Sequence, residues 1–142
     1  MIHGLDTSFL VAVEVKSHKE HARARARFQA LLKAQDTFAL APQILAEVIH
    51  VVTDPRRFSS PLTVEQAVER AGVWWNAAEI VHVFPTAEST LLFLGWLEGH
   101  RLGRKRLLDT MLASTLQAGG VTSILTLNRD DLEVFESFSF PF

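Results

Sequence analysis

Hydrophobic and polar positions along the chain form blocks that predict short buried strands separated by helices. Brief apolar runs predict four strands, at residues 1–5, 36–40, 80–84 and 123–126. Longer segments with apolar residues at helical spacing predict helices at 9–15, 17–33, 42 to about 54, 63–75, 86–98 and 107–118. Strands that alternate with helices indicate a mainly parallel sheet covered on both faces, so the pattern predicts an α/β fold.

The C-terminal segment is predicted to add only short elements. Residues 132–135 suit one helical turn, and residues 138–142 suit an edge strand in which Pro141 limits further pairing. A chain of 142 residues without internal repeats has the usual size of one domain. We therefore expect a single domain over residues 1–142.

Composition narrows the classes of function. Hydrophobic residues make up 48% of the chain and charged residues 21%, which is ordinary for a globular protein. The absence of cysteine excludes disulfides, a thiolate nucleophile and a cysteine-based zinc site. No apolar run reaches membrane-spanning length, and the N-terminus lacks the layout of a signal peptide. We therefore expect a cytoplasmic protein without membrane contact, and the net charge of −2 gives no global bias toward nucleic acid.

Four acidic features stand at positions that suit a functional site. Asp6 and the cluster at residues 128–131 directly follow predicted strands, and the crevice of an open α/β sheet lies at the carboxyl ends of its strands. Capping of a helix is the alternative role of Asp6, although Thr7 and Ser8 could also cap. Glu47 and Asp109 stand among aliphatic residues on helices, where an ionised carboxylate needs a compensating partner. For Asp109 a basic residue at 101–106 could be that partner.

The set of side chains points to a hard metal ion. No phosphate-cradling glycine loop or nucleophile elbow occurs, and no pair of histidines has metal-binding spacing. Scattered carboxylates without His or Cys suit Mg²⁺ or Mn²⁺ rather than Zn²⁺. Such ions commonly serve phosphate-ester chemistry, because they neutralise the diester and lower the pKa of a bound water.

Four segments together resemble the PIN-domain ribonucleases of the VapC-like toxin type, which occur in toxin–antitoxin pairs. The matching segments are residues 5–10, 45–48, 106–113 and 120–132, with the sequences LDTSFL, LAEV, RLLDTMLA and GVTSILTLNRDDL. The resemblance implies a three-layer α/β/α sandwich and an endoribonuclease that depends on Mg²⁺ or Mn²⁺. It implies that Asp6, Glu47 and Asp109 form the acidic pocket, and that the protein has a cognate antitoxin and forms a homodimer.

The fourth acid of the family is where this chain departs from the pattern. Asn128 stands where an Asp is frequent, so we predict that Asp131 is the fourth acidic contributor, mostly through a water that Thr126 and Asn128 orient. Asp130 could instead cap the short turn at 131–135. The cations before the Asp109 helix are predicted to hold RNA phosphates; they are Arg101, Arg104, Lys105 and Arg106.

Two other functions stay open at this point. A phosphatase of the haloacid-dehalogenase type would want a second Asp two residues after Asp6, where Ser8 stands. A catalytically silent PIN-like module that binds RNA or protein is kept open by Asn128. Large aromatic side chains could provide apolar anchors for contacts with partner proteins, and the candidates are Phe28, Trp74, Trp75 and Trp96. We expect at least half of these four side chains to lie in the core instead.

Overall fold

The computed structural model describes residues 1–142 and contains a four-stranded sheet with helices on both sides. The strands are β1 (Ile2–Leu5), β2 (Thr37–Leu40), β3 (Ile80–His82) and β4 (Ile124–Leu125). The helices are α1 (Thr7–Glu14), α2 (His21–Lys33), α3 (Pro42–Val52), α4 (Val64–Asn76), α5 (Ala87–Gly99), α6 (Leu107–Ala118) and α7 (Arg129–Leu132). Two 3₁₀ turns, Arg104–Arg106 and Glu133–Phe135, precede α6 and follow α7.

The order of the strands fixes where a functional crevice can open. The order is β3-β2-β1-β4, and every neighbouring pair is parallel. The chain runs outward from β1 to β3 and then returns to place β4 on the other side of β1. A crevice forms outside the carboxyl ends of the strands where the order reverses in this way. Asp6 follows β1 and Thr126 follows β4, so both residues lie at this switch point.

Two groups of helices flank the sheet. In the first, α1 packs against α2 and α3, and α3 packs against α4; in the second, α6 packs against α5 and α7. The predicted three-layer α/β/α sandwich with a parallel sheet is therefore confirmed. Helix α1 is buried along most of its length, as expected for a helix without a polar face. Its burial fixes the segment that carries Asp6, Thr7 and Ser8.

Strand β1, which leads to Asp6, and helix α6, which carries Asp109, approach each other closely at Gly4. A Cβ atom added to Gly4 would lie 2.4 Å from Cδ1 of Leu116, which is fully buried on α6. A side chain at position 4 would therefore force the buried Leu116 side chain to move. Because Asp6 follows β1 and Asp109 lies in the first turn of α6, this contact limits how far the two acids can move apart.

Several predicted boundaries are wrong by a few residues. Helix α2 begins at His21 rather than at residue 17, because His18 accepts a hydrogen bond from the backbone N–H of Glu20 (3.0 Å) within a turn. Strand β3 ends at His82 rather than at 84, and Pro85 lacks the N–H that a longer ladder would need. The expected C-terminal edge strand is reduced to one parallel bridge, between Ser139 and Ser123.

The apolar pattern also misplaces two side chains of α6. It predicts Leu107 and Leu108 on the buried face, yet they are 41% and 60% exposed. The buried face instead includes Thr110, Ser114 and Thr115, whose hydroxyls donate hydrogen bonds to backbone carbonyls of the preceding turn. Small hydroxyl residues therefore share the buried face with Leu112 and Leu116. None of the helices combines the length and the apolar character needed to cross a bilayer.

Candidate active site

A cavity of about 560 Å³ opens at the carboxyl edge of the sheet, next to the switch point. It brings together three of the predicted acids, Asp6, Glu47 and Asp109, which come from three different segments of the chain. The remaining lining residues are Thr7, Ser8, Val11, His18, Val51, Arg57, Phe58, Leu127 and Asn128. A cavity of this size with a few convergent polar groups has the form of a ligand or active site.

Asp6 is held in one orientation by three hydrogen bonds. It is only 4% exposed and is the N-cap of α1, where its Oδ1 accepts from the backbone N–H of Thr7 (2.8 Å). Its Oδ2 accepts from the hydroxyls of Ser8 (2.8 Å) and Thr126 (2.7 Å). The expectation that Thr7 or Ser8 could cap the helix in its place is wrong, since their hydroxyls bond to acids instead. Asp6 therefore both caps α1 and lines the cavity.

The same hydroxyls join the ends of β1 and β4. Ser8 accepts a hydrogen bond from the backbone N–H of Leu127 (2.9 Å), and Thr126 accepts one from the backbone N–H of Asn128 (2.9 Å). Thr126 is buried and does not line the cavity. In the structure its hydroxyl therefore fixes Asp6, and its predicted role in orienting a water stays a prediction.

Glu47 projects from α3 into the cavity and is half-buried. Its Oε2 accepts a hydrogen bond from the hydroxyl of Thr7 (2.7 Å). Burial raises the pKa of Glu47, and the negative charge of Asp6 adds to this, whereas the hydrogen bond from Thr7 opposes it. The carboxylate is thus less stable in its charged form than an exposed one.

Asp109 lies in the first turn of α6 and is the most perturbed acid of the cavity. Its pKa is raised to about 6, chiefly by burial and then by the negative charges of Asp6, Asp131 and Glu47. The charge of Arg106 is the one influence that lowers the pKa, and no hydrogen bond contributes. Asp109 is therefore a carboxylate under repulsion from its neighbours, without the donors that fix Asp6.

The chemistry of these donors fits a hard cation. All three acids of the cavity offer oxygen atoms, and a positive ion among them would relieve the repulsion that raises the pKa of Asp109. As the side chains stand, no group of three His, Asp or Glu residues is arranged so that it could hold a metal ion.

The residues after β4 divide between the cavity and its rim. Asn128 lines the cavity, whereas Asp131 does not, and the Asp131 side chain is 47% exposed. Asp131 nevertheless lies near enough for its charge to raise the pKa of Asp109. Asp130 is exposed and does not cap the turn at 131–135, because α7 already begins at Arg129.

The four basic residues before α6 are not gathered at the cavity. Arg101, Arg104 and Lys105 are exposed and do not line it. Arg106 donates a hydrogen bond to the backbone carbonyl of Asp131 and lies 3.8 Å from its carboxylate. The predicted binding of RNA by these four residues stays a prediction.

Two cationic or titratable side chains in the cavity were not expected from the sequence. Arg57 lines the cavity from the loop after α3, and its guanidinium lies 3.7 Å from the carboxylate of Asp54. His18 lines it from the turn before α2. The loop of Arg57 carries no motif, and the pattern around His18 predicts helix, so no signal in the sequence marks either residue.

Comparison with known proteins gives a consistent fold. Among solved structures, VapC20 from Mycobacterium tuberculosis, described as a toxin that cleaves the sarcin-ricin loop, is similar with a TM-score of 0.72 and 16% identity, covering 98% of this chain and 97% of that chain. VapBC2 from Rickettsia felis, bound to a DNA fragment from the promoter, is similar with a TM-score of 0.69 and 19% identity, covering 99% and 97%. VapBC-1 from nontypeable Haemophilus influenzae is similar with a TM-score of 0.67 and 17% identity, covering 99% and 96%.

Sequence comparison gives the family. No curated protein matches the sequence significantly. The PIN domain family matches residues 5–137, a segment that holds all four predicted acids and every strand except the first residues of β1. The expected resemblance is thereby confirmed, and the chain belongs to the PIN-domain family.

Proposed function

We propose that this protein is a metal-dependent endoribonuclease, the toxin of a toxin–antitoxin pair, acting in the cytoplasm. The observation that carries the proposal is the convergence of Asp6, Glu47 and Asp109 in one cavity at the switch point of the sheet. Membership of the PIN-domain family and a fold shared with VapC proteins support it. A phosphatase with Asp6 as nucleophile gains no support, since Ser8 stands where that chemistry wants a second Asp.

In this proposal Asp6, Glu47 and Asp109 hold Mg²⁺ or Mn²⁺ through oxygen atoms, as hard cations prefer. When bound, such an ion supplies an activated water and neutralises charge on the phosphodiester. Asp6 offers a fixed carboxylate, while burial raises the pKa of Glu47 and of Asp109, so that protons compete with the cation for these two acids more than for an exposed carboxylate. Because the pKa of Asp109 is about 6, we expect metal affinity to fall as the pH drops below about 6.

Other side chains of the cavity have supporting roles in the proposal. Asp131 adds negative charge beside Asp109 from the rim and acts through a water that Asn128 orients. Arg57 is the one arginine that lines the cavity, and we assign it to a phosphate oxygen of the substrate. The Arg57 side chain is 61% exposed, and the Asp54 carboxylate that it faces at 3.7 Å also accepts hydrogen bonds from Arg56, so Arg57 can turn to a phosphate.

The proposal includes a cognate antitoxin and a homodimer, and exposed apolar side chains support such contacts. The aromatic residues considered from the sequence are poor anchors, because Phe28 and Trp74 lie in the core and Trp75 and Trp96 pack against it. Exposed leucines are better anchors: Leu91 and Leu94 on α5, and Leu108 on α6, are 72%, 54% and 60% exposed. Light scattering on the purified protein should report a dimer, and a monomer at micromolar concentration would contradict this part of the proposal.

The central test is a cleavage assay on labelled single-stranded RNA with Mg²⁺, with Mn²⁺ and with EDTA. Cleavage should need a metal and should disappear in Asp6→Asn, while the exposed control Asp130→Asn keeps most of it. Cleavage by Asp6→Asn at the wild-type rate would refute the proposed site. RNA binding without cleavage under every metal condition would favour the second candidate function, a PIN-like module that binds RNA and does not cut it. The observation behind this candidate is that the cavity contains the amide of Asn128 where the family frequently has an acid.

A further inference from the structure

A second cavity lies between α2 and the C-terminal segment and is lined by cations and aromatic rings. It has a volume of about 610 Å³. We call it the basic groove and define it by Arg23, Arg27, Arg129, Phe140 and Phe142. The sequence alone favours a solvated helix face for Arg23 and Arg27, with contact to phosphates as the alternative. The groove contains three arginines and no Asp or Glu among its lining residues.

The basic groove is continuous with the acidic cavity. A smaller cavity of about 380 Å³ lies between them. It shares Arg23, Arg129 and Phe142 with the basic groove. It shares His18 and Asn128 with the acidic cavity. A single extended ligand can therefore occupy all three.

The arginines of the groove are available to an anionic ligand. Arg27 is exposed and takes part in no ion pair. Arg23 pairs with Glu20 at 3.0 Å and Arg129 pairs with Glu133 at 3.3 Å, with arginine side chains that are 63% and 64% exposed. Exposed pairs of this kind contribute little stability, so a phosphate can displace the carboxylate.

The rings of the groove are arranged beside the cations. The guanidinium of Arg23 lies 4.2 Å from the centre of the Phe142 ring, and that of Arg129 lies 5.6 Å from the centre of the Phe140 ring. Proteins that bind single-stranded nucleic acid combine a positively charged groove with aromatic surfaces on which bases stack. On α2, Arg23 and Arg27 stand four residues apart, which places them on one face about 6 Å apart along the helix axis.

We propose that the basic groove holds the single-stranded RNA that flanks the cleaved phosphodiester. Arg23, Arg27 and Arg129 bind successive phosphates, and the rings of Phe140 and Phe142 contact the bases. This inference rests on the proposed ribonuclease function. It also removes an electrostatic difficulty, because an acidic cavity in a chain of net charge −2 would otherwise repel a polyanion. The groove supplies local positive charge on the path into the cavity.

Fluorescence anisotropy with a labelled single-stranded RNA of about 12 nucleotides, in EDTA to prevent cleavage, tests the proposal. The dissociation constant is measured against KCl concentration for the wild type and for Arg23→Gln/Arg27→Gln. A charge-matched control, Arg25→Gln/Lys33→Gln, changes two exposed cations of α2 that lie outside the groove.

The groove variant should bind more weakly, and the slope of log K against log salt should become shallower by about 1.4, at about 0.7 for each phosphate that an arginine no longer neutralises. The control should keep the wild-type slope. An unchanged slope in the groove variant, or an equal change in Arg25→Gln/Lys33→Gln, would overturn the inference. Displacement of the RNA by a polyglutamate peptide of equal charge at equal concentration would also overturn it, because the groove would then select acidic chains of any kind.

The two proposals can fail separately. If the wild type cleaves RNA with Mn²⁺ but Arg23→Gln/Arg27→Gln binds and cleaves like the wild type, only the basic groove is wrong. If RNA binding depends on Arg23 and Arg27 but no metal supports cleavage, the groove stands as an RNA-binding surface and the ribonuclease proposal fails.

Discussion

Replacing Asp109 by Asn is expected to stabilise the protein in the absence of metal. Burial and the charges of three neighbouring acids raise the pKa of Asp109 from 3.8 to about 6 in the folded state. The unfolded chain loses this proton near pH 3.8, whereas the folded protein keeps it up to about pH 6. Ionisation of Asp109 therefore lowers the free energy of unfolding increasingly as the pH rises from about 4 to 6, and by a constant amount above that.

The magnitude follows from the interval between the two pKa values. At about 1.36 kcal/mol per pH unit, the rise in the pKa from 3.8 to about 6 would lower the free energy of unfolding by about 3 kcal/mol if the carboxylate were fully shielded from solvent. Asp109 is only half-buried, so screening by water reduces the effect to about 1–2 kcal/mol. Asn has the same shape and no charge, and the melting temperature of a domain of this size should rise by about 3–6 °C.

Thermal unfolding in EDTA at about pH 4 and about pH 8 measures the effect, with Asp130→Asn as the control because Asp130 is exposed on α7. Asp109→Asn should melt higher than the wild type at the higher pH and equally at the lower pH. Adding Mn²⁺ should raise the melting temperature of the wild type and not that of the variant. Equal melting temperatures at about pH 8 would refute the argument from repulsion, and an equal gain at both pH values would show that charge is not its cause.

Two further predictions concern the residues after β4. Asp131→Ala should reduce Mn²⁺-dependent cleavage more than Asp130→Ala, because of these two aspartates Asp131 alone contributes charge at Asp109. The opposite ranking would show that Asp131 is not the fourth acid of the site. Thr126→Val should lower the free energy of unfolding in urea by about 1–2 kcal/mol, because Asp6 loses a buried hydrogen-bond donor, while Thr126→Ser keeps the hydroxyl and should lose only about 0.8 kcal/mol with its buried methyl group.

The sheet and the position of its acids could be predicted from the sequence because both follow from short-range patterns. Apolar runs bounded by polar residues mark all four strands, and alternation with helices implies parallel pairing. Once the sheet is parallel, Asp6 and the residues after β4 must lie at the same edge. Glu47 and Asp109 could be found because a carboxylate among aliphatic neighbours is out of place on a helix.

What the sequence could not supply depends on contacts between distant segments. The turn at His18 has helix-forming neighbours and is set by one local hydrogen bond, so the periodic pattern extends α2 across it. Arg57 reaches the cavity from an irregular loop, for which spacing carries no information. The basic groove forms only when residues 23–27 meet the C-terminal segment, and arginines spaced two apart on a helix look like a solvated face.

The acids of the site are held by different means, and this has a consequence for metal binding. Asp6 is fixed by three donors at the junction of β1, α1 and β4, so its position changes little with charge. Asp109 has no donor, and its position depends on the packing of α6 against β1, where Gly4 meets Leu116. A change that loosens this packing lets Asp109 move away from the other acids and lowers the repulsion. The affinity for a cation should then fall, so that packing of α6 sets the metal affinity from a distance, and the relief of repulsion offsets only part of the stability lost with the buried contact.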